Sequence, residues 1–349
     1  MKSLLRAILL LLIASWIIFK VLCKSTSNQY TTIQFIAPSL SGNLLGEDSS
    51  RIAYVYLPPG YDTSTKRYPC LYYLHGFTSD HEEYNHLKFA QLMDAAIANG
   101  VIEPCILVVP NSSTNYEGSF YTNSEIGGKW ADYIAKDLVH VVDRRFRTLA
   151  ESKFRCLFGH SMGGNGALKI ALQNQDVFGS VYALSPSVIN WSGEFNLQNP
   201  SFRIIQSAKS REDIQNDFYS RVLVAMGRVY SAEAEVQPFQ CKMPVRYDSF
   251  WRIDSATLAL WNREMVTLQY KEALSRGPLK IAIGFDCGLE DEFKHIPISC
   301  AELDSALNFY GQAHDYSTYH GNHYEKVGGF EGRIYKNVLP FFSKHLRTK

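Results

Sequence analysis

The sequence predicts an α/β fold with a mostly parallel central sheet, helices on both faces and an inserted helical cap. Three observations lead to this prediction. Four nearly continuous apolar runs have the length of buried strands, helix-like segments separate them, and the strand pattern stops between Ser187 and Leu279 before it resumes. The chain has 349 residues, of which 46% are hydrophobic, so it can bury one large core.

Two segments near the start of the chain alternate apolar and polar residues. They are TTIQFIA and RIAYVYLPPGY, and the second one ends in Pro58-Pro59-Gly60. Alternation of this kind followed by Pro and Gly predicts two strands and a turn. We therefore expect an antiparallel edge on the sheet.

The four apolar runs that follow predict strands covered on both faces; they are CLYYLHG, CILVVPN, CLFGHS and VYALSPS. Between the second and the third run, apolar residues at spacings of three and four predict one face of a helix: Trp130, Ile134, Leu138, Val141 and Val142. Strands that alternate with helices specify a parallel sheet with right-handed crossovers.

The later part of the chain predicts an insertion and a return to the sheet. Helix-like, Trp-containing stretches predict a cap at about residues 188–278, and the strand pattern resumes with LKIAIGF. An apolar-faced segment then runs from Gly332 to Leu346, interrupted by Pro340. We expect one domain over residues 28–349 that contains this cap.

The first residues resemble a targeting segment. Lys2 and Arg6 precede an apolar run from Ala7 to Phe19 without any charge, which predicts export from the cytoplasm. Residues 1–27 are either a signal peptide that is cleaved or a retained membrane anchor, and both alternatives stay open.

Composition excludes some classes of partner. Lys and Arg number 35 and Asp and Glu number 34, so no basic field is available to hold nucleic acid, and we expect a small or neutral substrate. The sequence has no CxxC or His-rich pair, and we expect neither a metal nor another cofactor. Among its cysteines, Cys241, Cys287 and Cys300 could pair in an oxidising compartment.

The strongest local signal is the pentapeptide GHSMG at Gly159 to Gly163. It follows the apolar strand CLF and precedes the helix-like GALKIALQ, which is the context of a nucleophile elbow in an α/β-hydrolase fold. The flanking glycines avoid Cβ clashes in the tight turn, and the helix N-terminus favours developing negative charge. The pattern predicts Ser161 as a nucleophile.

A serine nucleophile needs a base that is oriented by a carboxylate, and in this fold the chain order is Ser, acid, His. The acid is expected just after LKIAIGF, where spacing does not choose among four candidates: Asp286, Glu290, Asp291 and Glu292. The base is expected in a loop before the last helix, which leaves His320 and His323. We favour His323, because Gly321-Asn322 predict a tight turn before it.

Acyl transfer also requires hydrogen-bond donors for the oxyanion, usually two backbone N–H groups. One donor is expected from Met162, directly after the nucleophile. The other is expected from the turn after CLYYLHG, where His75-Gly76-Phe77 is similar to the lipase and esterase oxyanion turn and makes the Phe77 amide the candidate.

Together these motifs resemble the putative esterase family, which holds feruloyl and acetylxylan esterases, S-formylglutathione hydrolases and mycobacterial mycolyltransferases. The resemblance runs from VYLPPGYDTSTKRYPCLYYLHGF through GSFYTNSEIGGKWADYIAKDL and FRCLFGHSMGGNGAL to ALSPS, and it returns at GFDCGLEDEF and YHGNH. It covers most of residues 31–345, and only the cap matches poorly.

The resemblance implies roles for individual residues. Ser161 matches the nucleophile, Asp291 at the end of Gly288-Leu289-Glu290-Asp291 matches the acid, and His323 matches the base. The chain departs from the family at Asn322 and Tyr324, where a glycine before the histidine and a tryptophan after it are common. In relatives the loop that matches GSFYTN lies near the site, so the resemblance also implies Tyr121 as a pocket residue.

The function implied is hydrolysis of a carboxylic ester through an acyl-enzyme. Export argues against S-formylglutathione, a cytosolic substrate, and favours acyl or feruloyl groups on polysaccharide or a related external ester. Two alternatives stay open: an acyltransferase that uses the same three residues with an alcohol acceptor, and a binding module without catalytic activity.

Overall fold

The computed structural model of the chain describes residues 30–247 and 250–346. The predicted targeting segment at residues 1–27 lies outside this part of the chain. Within the described ranges, no helix is long and apolar enough to cross a membrane.

An eight-stranded sheet forms the centre of the molecule, in the order β1-β2-β4-β3-β7-β8-β11-β12. Its strands are β1 (Thr31–Ile36), β2 (Ser50–Tyr56), β3 (Cys70–Leu74), β4 (Ile106–Pro110), β7 (Arg155–His160), β8 (Ser180–Leu184), β11 (Ala282–Gly288) and β12 (Asp315–Tyr319). Neighbours from β4 to β12 run parallel, whereas β2 is antiparallel to both β1 and β4. The mostly parallel sheet and its antiparallel edge are thus confirmed.

Two small hairpins lie outside this sheet, and helices connect the strands. The hairpin strands are β5 (Asn123–Ser124) with β6 (Gly128–Lys129) and β9 (Val245–Tyr247) with β10 (Trp251–Ile253). The helices are α1 (Glu83–His86), α2 (Phe89–Ala98), α3 (residues 130–145, with a π-helical segment at Tyr133–Leu138), α4 (Met162–Gln173), α5 (Ser201–Ser207), α6 (Phe218–Tyr230), α7 (Ser255–Glu264), α8 (Val266–Ser275), α9 (His295–Phe309) and α10 (residues 334–345, with a π-helical segment at Ile334–Val338).

Helices cover both faces of the sheet, and the central strands β3, β4, β7 and β8 are buried at every position. In β3, Cys70, Tyr72 and Leu74 face a core that α3, α4 and α9 complete. The alternate residues Leu71 and Tyr73 face a second core, completed by α2 and α10. All five side chains are buried, as a strand between two helical layers requires.

Three elements differ from the sequence-based expectation. β11 begins three residues after the start of LKIAIGF and extends to Gly288, so it carries the chain up to the acid loop. β12 was not predicted, because its residues are polar and half exposed at the sheet edge. α10 is not interrupted at Pro340, because this residue lies at the start of the final α-helical segment, where a missing N–H is tolerated.

The segment between β8 and β11 contains α5 to α8 and the β9–β10 hairpin. Its apolar side chains belong to the same core as α3 and α4, so the insertion is packed onto the domain and does not form a lobe of its own. The last helix of the segment, α8, lies against α4, where the Tyr270 hydroxyl donates a hydrogen bond to the Leu168 carbonyl at 3.1 Å.

The cysteines of the described residues are buried and form no disulfide. Cys241, Cys287 and Cys300, for which we left pairing open, are therefore free thiols in this structure. Cys287 lies at the end of β11, where its sulfur is 3.8 Å from the Tyr316 hydroxyl.

Candidate active site

Ser161 lies at the turn between β7 and α4, in a backbone conformation that L-residues rarely adopt, with φ of 58° and ψ of −119°. The turn is held by two hydrogen bonds: the Ser161 N–H donates to the Leu184 carbonyl at 3.0 Å, and the Ser187 N–H donates to the Ser161 carbonyl at 3.1 Å. This is the geometry of a nucleophile elbow, which presents the serine side chain at the carboxyl edge of the sheet.

The glycines of the elbow are required by close backbone approach. A Cβ on Gly163 would lie 1.9 Å from the Leu74 carbonyl oxygen, and a Cβ on Gly159 would lie 2.4 Å from the Gly163 carbonyl oxygen. No side chain fits at either distance. The end of β3 therefore packs directly against the start of α4, and this contact fixes the position of Ser161.

Asp291 and His323 meet because their strands are neighbours. β11 and β12 run parallel with Gly288 opposite Tyr319, so the loops after them leave the same edge of the sheet. His323 Nδ1 lies 2.8 Å from Asp291 Oδ2, and the two side chains are 1% and 0% exposed. The second carboxylate oxygen accepts a hydrogen bond from the Phe293 N–H at 2.9 Å.

This pairing favours one histidine tautomer. The carboxylate oxygen can accept from Nδ1 when this nitrogen carries the proton, and Nε2 is then free to act as a base. A neutral imidazole oriented in this way is the arrangement that general-base catalysis requires.

The other acids and the other histidine of the two loops have different partners. His320, with an 86% exposed side chain, pairs with Glu290 at 2.9 Å on the surface. Glu292 accepts a hydrogen bond from the backbone N–H of His323 at 3.0 Å, and so holds the loop instead of the imidazole. Asp291 is thus the acid that contacts the favoured histidine.

Asp286, the fourth candidate acid, belongs to a buried ion pair behind the site. Its carboxylate contacts the Arg333 guanidinium of the C-terminal region, and its second oxygen accepts a hydrogen bond from the Tyr182 hydroxyl at 3.1 Å. Burial raises the pKa of Asp286, and the Arg333 charge opposes this shift. The pair links β11 to the segment before α10.

His160 joins the two sides of the site, and no sequence motif indicates this contact. Its Nε2 lies 2.9 Å from the His323 carbonyl oxygen, and the two rings are 4.6 Å apart between centroids. Because a carbonyl oxygen only accepts, Nε2–H is the donor. Burial, followed by the neighbouring His323, holds the pKa of His160 well below its usual value, so the ring stays neutral.

The Ser161 hydroxyl itself makes no hydrogen bond to any residue in the described part of the chain. The structure thus brings acid and base into direct contact and brings the base loop to the elbow through His160. In substrate-free enzymes the contact from nucleophile to base is often long and tightens when substrate binds.

The two predicted oxyanion donors are unpaired backbone amides. Neither the Phe77 N–H nor the Met162 N–H donates a hydrogen bond to a residue of the described ranges. The turn that carries Phe77 lies beside the nucleophile, since a Cβ on Gly76 would be 3.7 Å from the Cβ of Ser161. Two free N–H donors next to the Ser161 side chain can stabilise an oxyanion.

His75 orients one of these donors. Its Nδ1–H donates to the Gly76 carbonyl at 2.9 Å, and its Nε2 accepts from the Ser112 N–H at 2.8 Å. Because a trans peptide is planar, fixing the Gly76 carbonyl turns the Phe77 N–H to the opposite side. Burial lowers the pKa of His75, which keeps the ring in this neutral form.

The prediction that Tyr121 lines the pocket is corrected by its burial. The side chain is 0% exposed, and its ring fills the space where a Cβ on Gly166 would lie 2.3 Å away. Its hydroxyl donates to the His75 carbonyl at 3.0 Å. Tyr121 therefore supports the turn that carries Phe77 from behind, because α4 leaves no room for its ring to reach the cleft.

A cleft of about 190 Å³ opens at Ser161. Its walls include Gly76, Phe77, Glu83, His160 and Tyr324. Among the described residues, no group of three or more His, Cys, Asp and Glu side chains is placed to hold a metal ion.

An aromatic chain connects the insertion to this cleft. The ring of Phe218, at the start of α6, lies 5.9 Å from that of Phe77 and 5.2 Å from that of Phe293. Phe293 in turn contacts the imidazole of His323 at 4.9 Å in an edge-to-face arrangement. The segment between β8 and β11 thus reaches both the turn that carries Phe77 and the loop that carries His323 through one side chain.

The sequence of the chain matches one family profile. Residues 47–337 match a family described as "Putative esterase". The matched range runs from before β2 into α10 and includes Ser161, Asp291 and His323.

Two curated proteins illustrate what the chain is similar to. An S-formylglutathione hydrolase of Arabidopsis thaliana is 35% identical over 150 residues, which are 38% of this chain and 50% of that protein. An endo-1,4-beta-xylanase/feruloyl esterase of Xylanibacter ruminicola is 34% identical over 136 residues, which are 36% of this chain and 18% of that protein. The alignments span half or less of the length of these relatives.

Solved structures share the architecture over almost the whole chain. A ferulic acid esterase superposes with a TM-score of 0.60 at 18% identity, covering 90% of this chain and 98% of that chain. An S-formylglutathione hydrolase from Agrobacterium tumefaciens superposes with a TM-score of 0.59 at 18% identity, covering 93% and 98%. At this level of identity, the likeness confirms the α/β-hydrolase fold.

Proposed function

The chain belongs to the putative esterase family, and we propose that it is a serine hydrolase that cleaves carboxylic esters through an acyl-enzyme on Ser161. The observation that carries this proposal is the buried hydrogen bond of 2.8 Å between His323 and Asp291, in a loop that His160 ties to the strained Ser161 turn.

In the proposed reaction, His323 Nε2 takes the proton of the Ser161 hydroxyl while its oxygen attacks the ester carbonyl. The carbonyl oxygen becomes negative and accepts hydrogen bonds from the Phe77 and Met162 amides. The alcohol then leaves with the proton from His323, which gives an acyl-enzyme. Water, activated by the same imidazole, hydrolyses this intermediate, and Asp291 stabilises the imidazolium in both steps.

We further propose that the substrate is an ester outside the cytoplasm, with acyl or feruloyl groups on polysaccharide as the class to test first. The apolar segment from Ala7 to Phe19 supports export, either as a cleaved signal peptide or as an anchor. Similarity to a protein named as a xylanase and feruloyl esterase supports the polysaccharide class. The balance of 35 basic and 34 acidic residues agrees with a neutral ligand.

The domain organisation is part of the same proposal. Residues 28–349 are taken as one catalytic domain with an insertion at about residues 188–278. The contacts of Phe218 with Phe77 and Phe293 support a role for this insertion in forming a wall of the site.

Initial rates on p-nitrophenyl acetate and methyl ferulate test the proposal. We expect turnover of at least one ester, and we expect Ser161→Ala to lower kcat by roughly 10⁴-fold or more. Ser305→Ala, a substitution on the exposed side of α9, is the matched control and should leave the rates unchanged.

Three results would separate the alternatives. Turnover that survives Ser161→Ala would refute the nucleophile assignment. Ester cleavage that yields a new ester when an alcohol or a sugar is added would identify an acyltransferase. Absence of both turnover and labelling by a fluorophosphonate probe would indicate a binding module.

A further inference from the structure

Glu83, at the start of α1, lines the same cleft as Ser161. Gly76 lies between Glu83 and Ser161. A Cβ on Gly76 would be 3.8 Å from the Glu83 carboxylate oxygen Oε1 and 3.7 Å from the Cβ of Ser161. The carboxylate is therefore within reach of a small ester bound at the nucleophile. The mechanism described above assigns no role to this group.

The Glu83 carboxylate is held from behind. Its Oε2 accepts a short hydrogen bond from the hydroxyl of Tyr73, which is fully buried in β3. Burial raises the pKa of Tyr73 far above its usual value, so the phenol stays protonated and always donates. A fixed donor at one oxygen restricts the rotation of the carboxylate and defines where the other oxygen points.

The other oxygen, Oε1, has no hydrogen-bond donor among the described residues, and Glu83 forms no ion pair with them. A carboxylate oxygen without a donor in a partly closed cleft is unfavourable, unless water or a ligand donates to it. Because Glu83 lines the open cleft, a ligand can supply that donor.

The surroundings favour a hydroxyl group as this donor. Ser79, His86 and Tyr324 line the same cleft as Glu83. These side chains can both donate and accept hydrogen bonds, as a ligand with several hydroxyl groups requires. A carboxylate at this place also repels an ester that carries a second negative charge.

We propose that Glu83 is a specificity-determining residue that accepts, through Oε1, a hydrogen bond from a hydroxyl group of the ester substrate. The inference rests on the proposed esterase function and deepens it, because it names a hydroxylated substrate, such as an ester of a polyol or a sugar. An ester without the hydroxyl leaves Oε1 without its donor, and this is how a polar site rejects such an analogue.

The test compares kcat/KM for glyceryl monoacetate, propyl acetate and acetylcholine in the full chain. We expect kcat/KM for glyceryl monoacetate to exceed that for propyl acetate by about tenfold or more, because only the first ester can make the hydrogen bond to the charged carboxylate. Glu83→Gln keeps an acceptor for Tyr73 but removes the charge, and it should bring this ratio close to one.

Glu82→Gln is the matched control. The Glu82 carboxylate bonds to Tyr54 and Asn85 and is not part of the cleft, so the preference should stay at its wild-type value. Thermal melting of both variants verifies that they fold, and Glu83→Ala provides a second variant that leaves no acceptor in the cleft.

Several outcomes would overturn the inference. A wild-type ratio near one, or a ratio that persists in both Glu83 variants, would do so while the esterase proposal stands. A preference for acetylcholine over both other esters would show that the carboxylate selects a cation instead of a hydroxyl. If no acetate is hydrolysed and a fluorophosphonate does not label Ser161, the esterase proposal fails, and this inference fails with it.

Discussion

The nucleophile side and the base side of the candidate site are held in place by different forces. On the nucleophile side, backbone contact between β3 and the start of α4 leaves no room for a side chain on Gly163. On the base side, hydrogen bonds hold the loops: the His323 imidazole pairs with Asp291, the His323 amide donates to Glu292, and His160 donates to the His323 carbonyl. We therefore expect added volume to be damaging on the nucleophile side, and the loss of a single polar group to be damaging on the base side.

The largest effect is expected from Asp291→Asn. An amide in place of the carboxylate can donate to Nδ1, which favours the wrong imidazole tautomer and removes the charge that stabilises the imidazolium. We expect kcat on p-nitrophenyl acetate to fall by roughly 10⁴-fold with little change in melting temperature. Glu290→Gln, at the exposed pair with His320, is the control and should keep at least half of the activity.

A loss of activity in Glu290→Gln as large as that in Asp291→Asn would contradict the assignment of Asp291 as the only acid that acts on the base. Equal activity of Asp291→Asn and wild type would remove Asp291 from the mechanism.

The next effect is expected from added volume on the nucleophile side. In Gly163→Ala the new methyl group would lie 1.9 Å from the Leu74 carbonyl oxygen, so β3 and α4 must separate. We expect a loss of about 3 kcal/mol or more in the free energy of unfolding, measured by urea denaturation.

Gly311→Ala is the control for this variant. Gly311 has a positive φ of 66° but open space around it, so the substitution costs only the left-handed conformation, about 1–2 kcal/mol. A Gly163→Ala protein as stable as Gly311→Ala would contradict the proposed steric contact.

A smaller effect is expected at His160, which we regard as a positioning residue. His160→Ala removes the donor to the His323 carbonyl, and we expect kcat to fall by about tenfold with little change in KM. His160→Gln retains an N–H donor and should recover part of this loss. Equal activity of the two variants would indicate that the hydrogen bond does not position the base.

His160 also makes a prediction about pH. Its pKa in the folded protein is held well below the usual 6.5, so below that pH the unfolded chain binds a proton that the folded protein does not. Stability contributed by the neutral ring is complete above pH 6.5 and is lost as the pH falls, by roughly 1.4 kcal/mol per pH unit. Between pH 7.5 and pH 5, the free energy of unfolding measured with urea should fall more steeply for wild type than for His160→Gln. Parallel profiles would contradict the burial of a neutral His160.

The sequence was sufficient to predict the features that depend on local pattern. The buried strands and the elbow at Ser161 could be predicted, because apolar runs, glycine spacing and the following helix are all contained in short segments. The strand β12 could not be predicted, because its polar residues carry no apolar period.

Contacts between distant segments were the part that pattern could not supply. The resemblance to a family was needed to choose Asp291 among four acids, since only the pairing of β11 with β12 brings it to His323. The links from His160 to the base loop and from Tyr121 to His75 join segments that are distant in sequence, so no spacing rule indicates them. Tyr121 was expected in the pocket because the resemblance implies that its loop lies near the site, but the resemblance does not give the direction of its side chain.

The most direct test of the central assignment is the rate and the site of fluorophosphonate labelling, determined by intact mass and peptide mass spectrometry. The proposed triad of Ser161, His323 and Asp291 predicts a single label on Ser161, labelling at least 100-fold slower in Asp291→Asn, and no change in Glu290→Gln. A label on another residue, or a rate in Asp291→Asn equal to that of wild type, would contradict it.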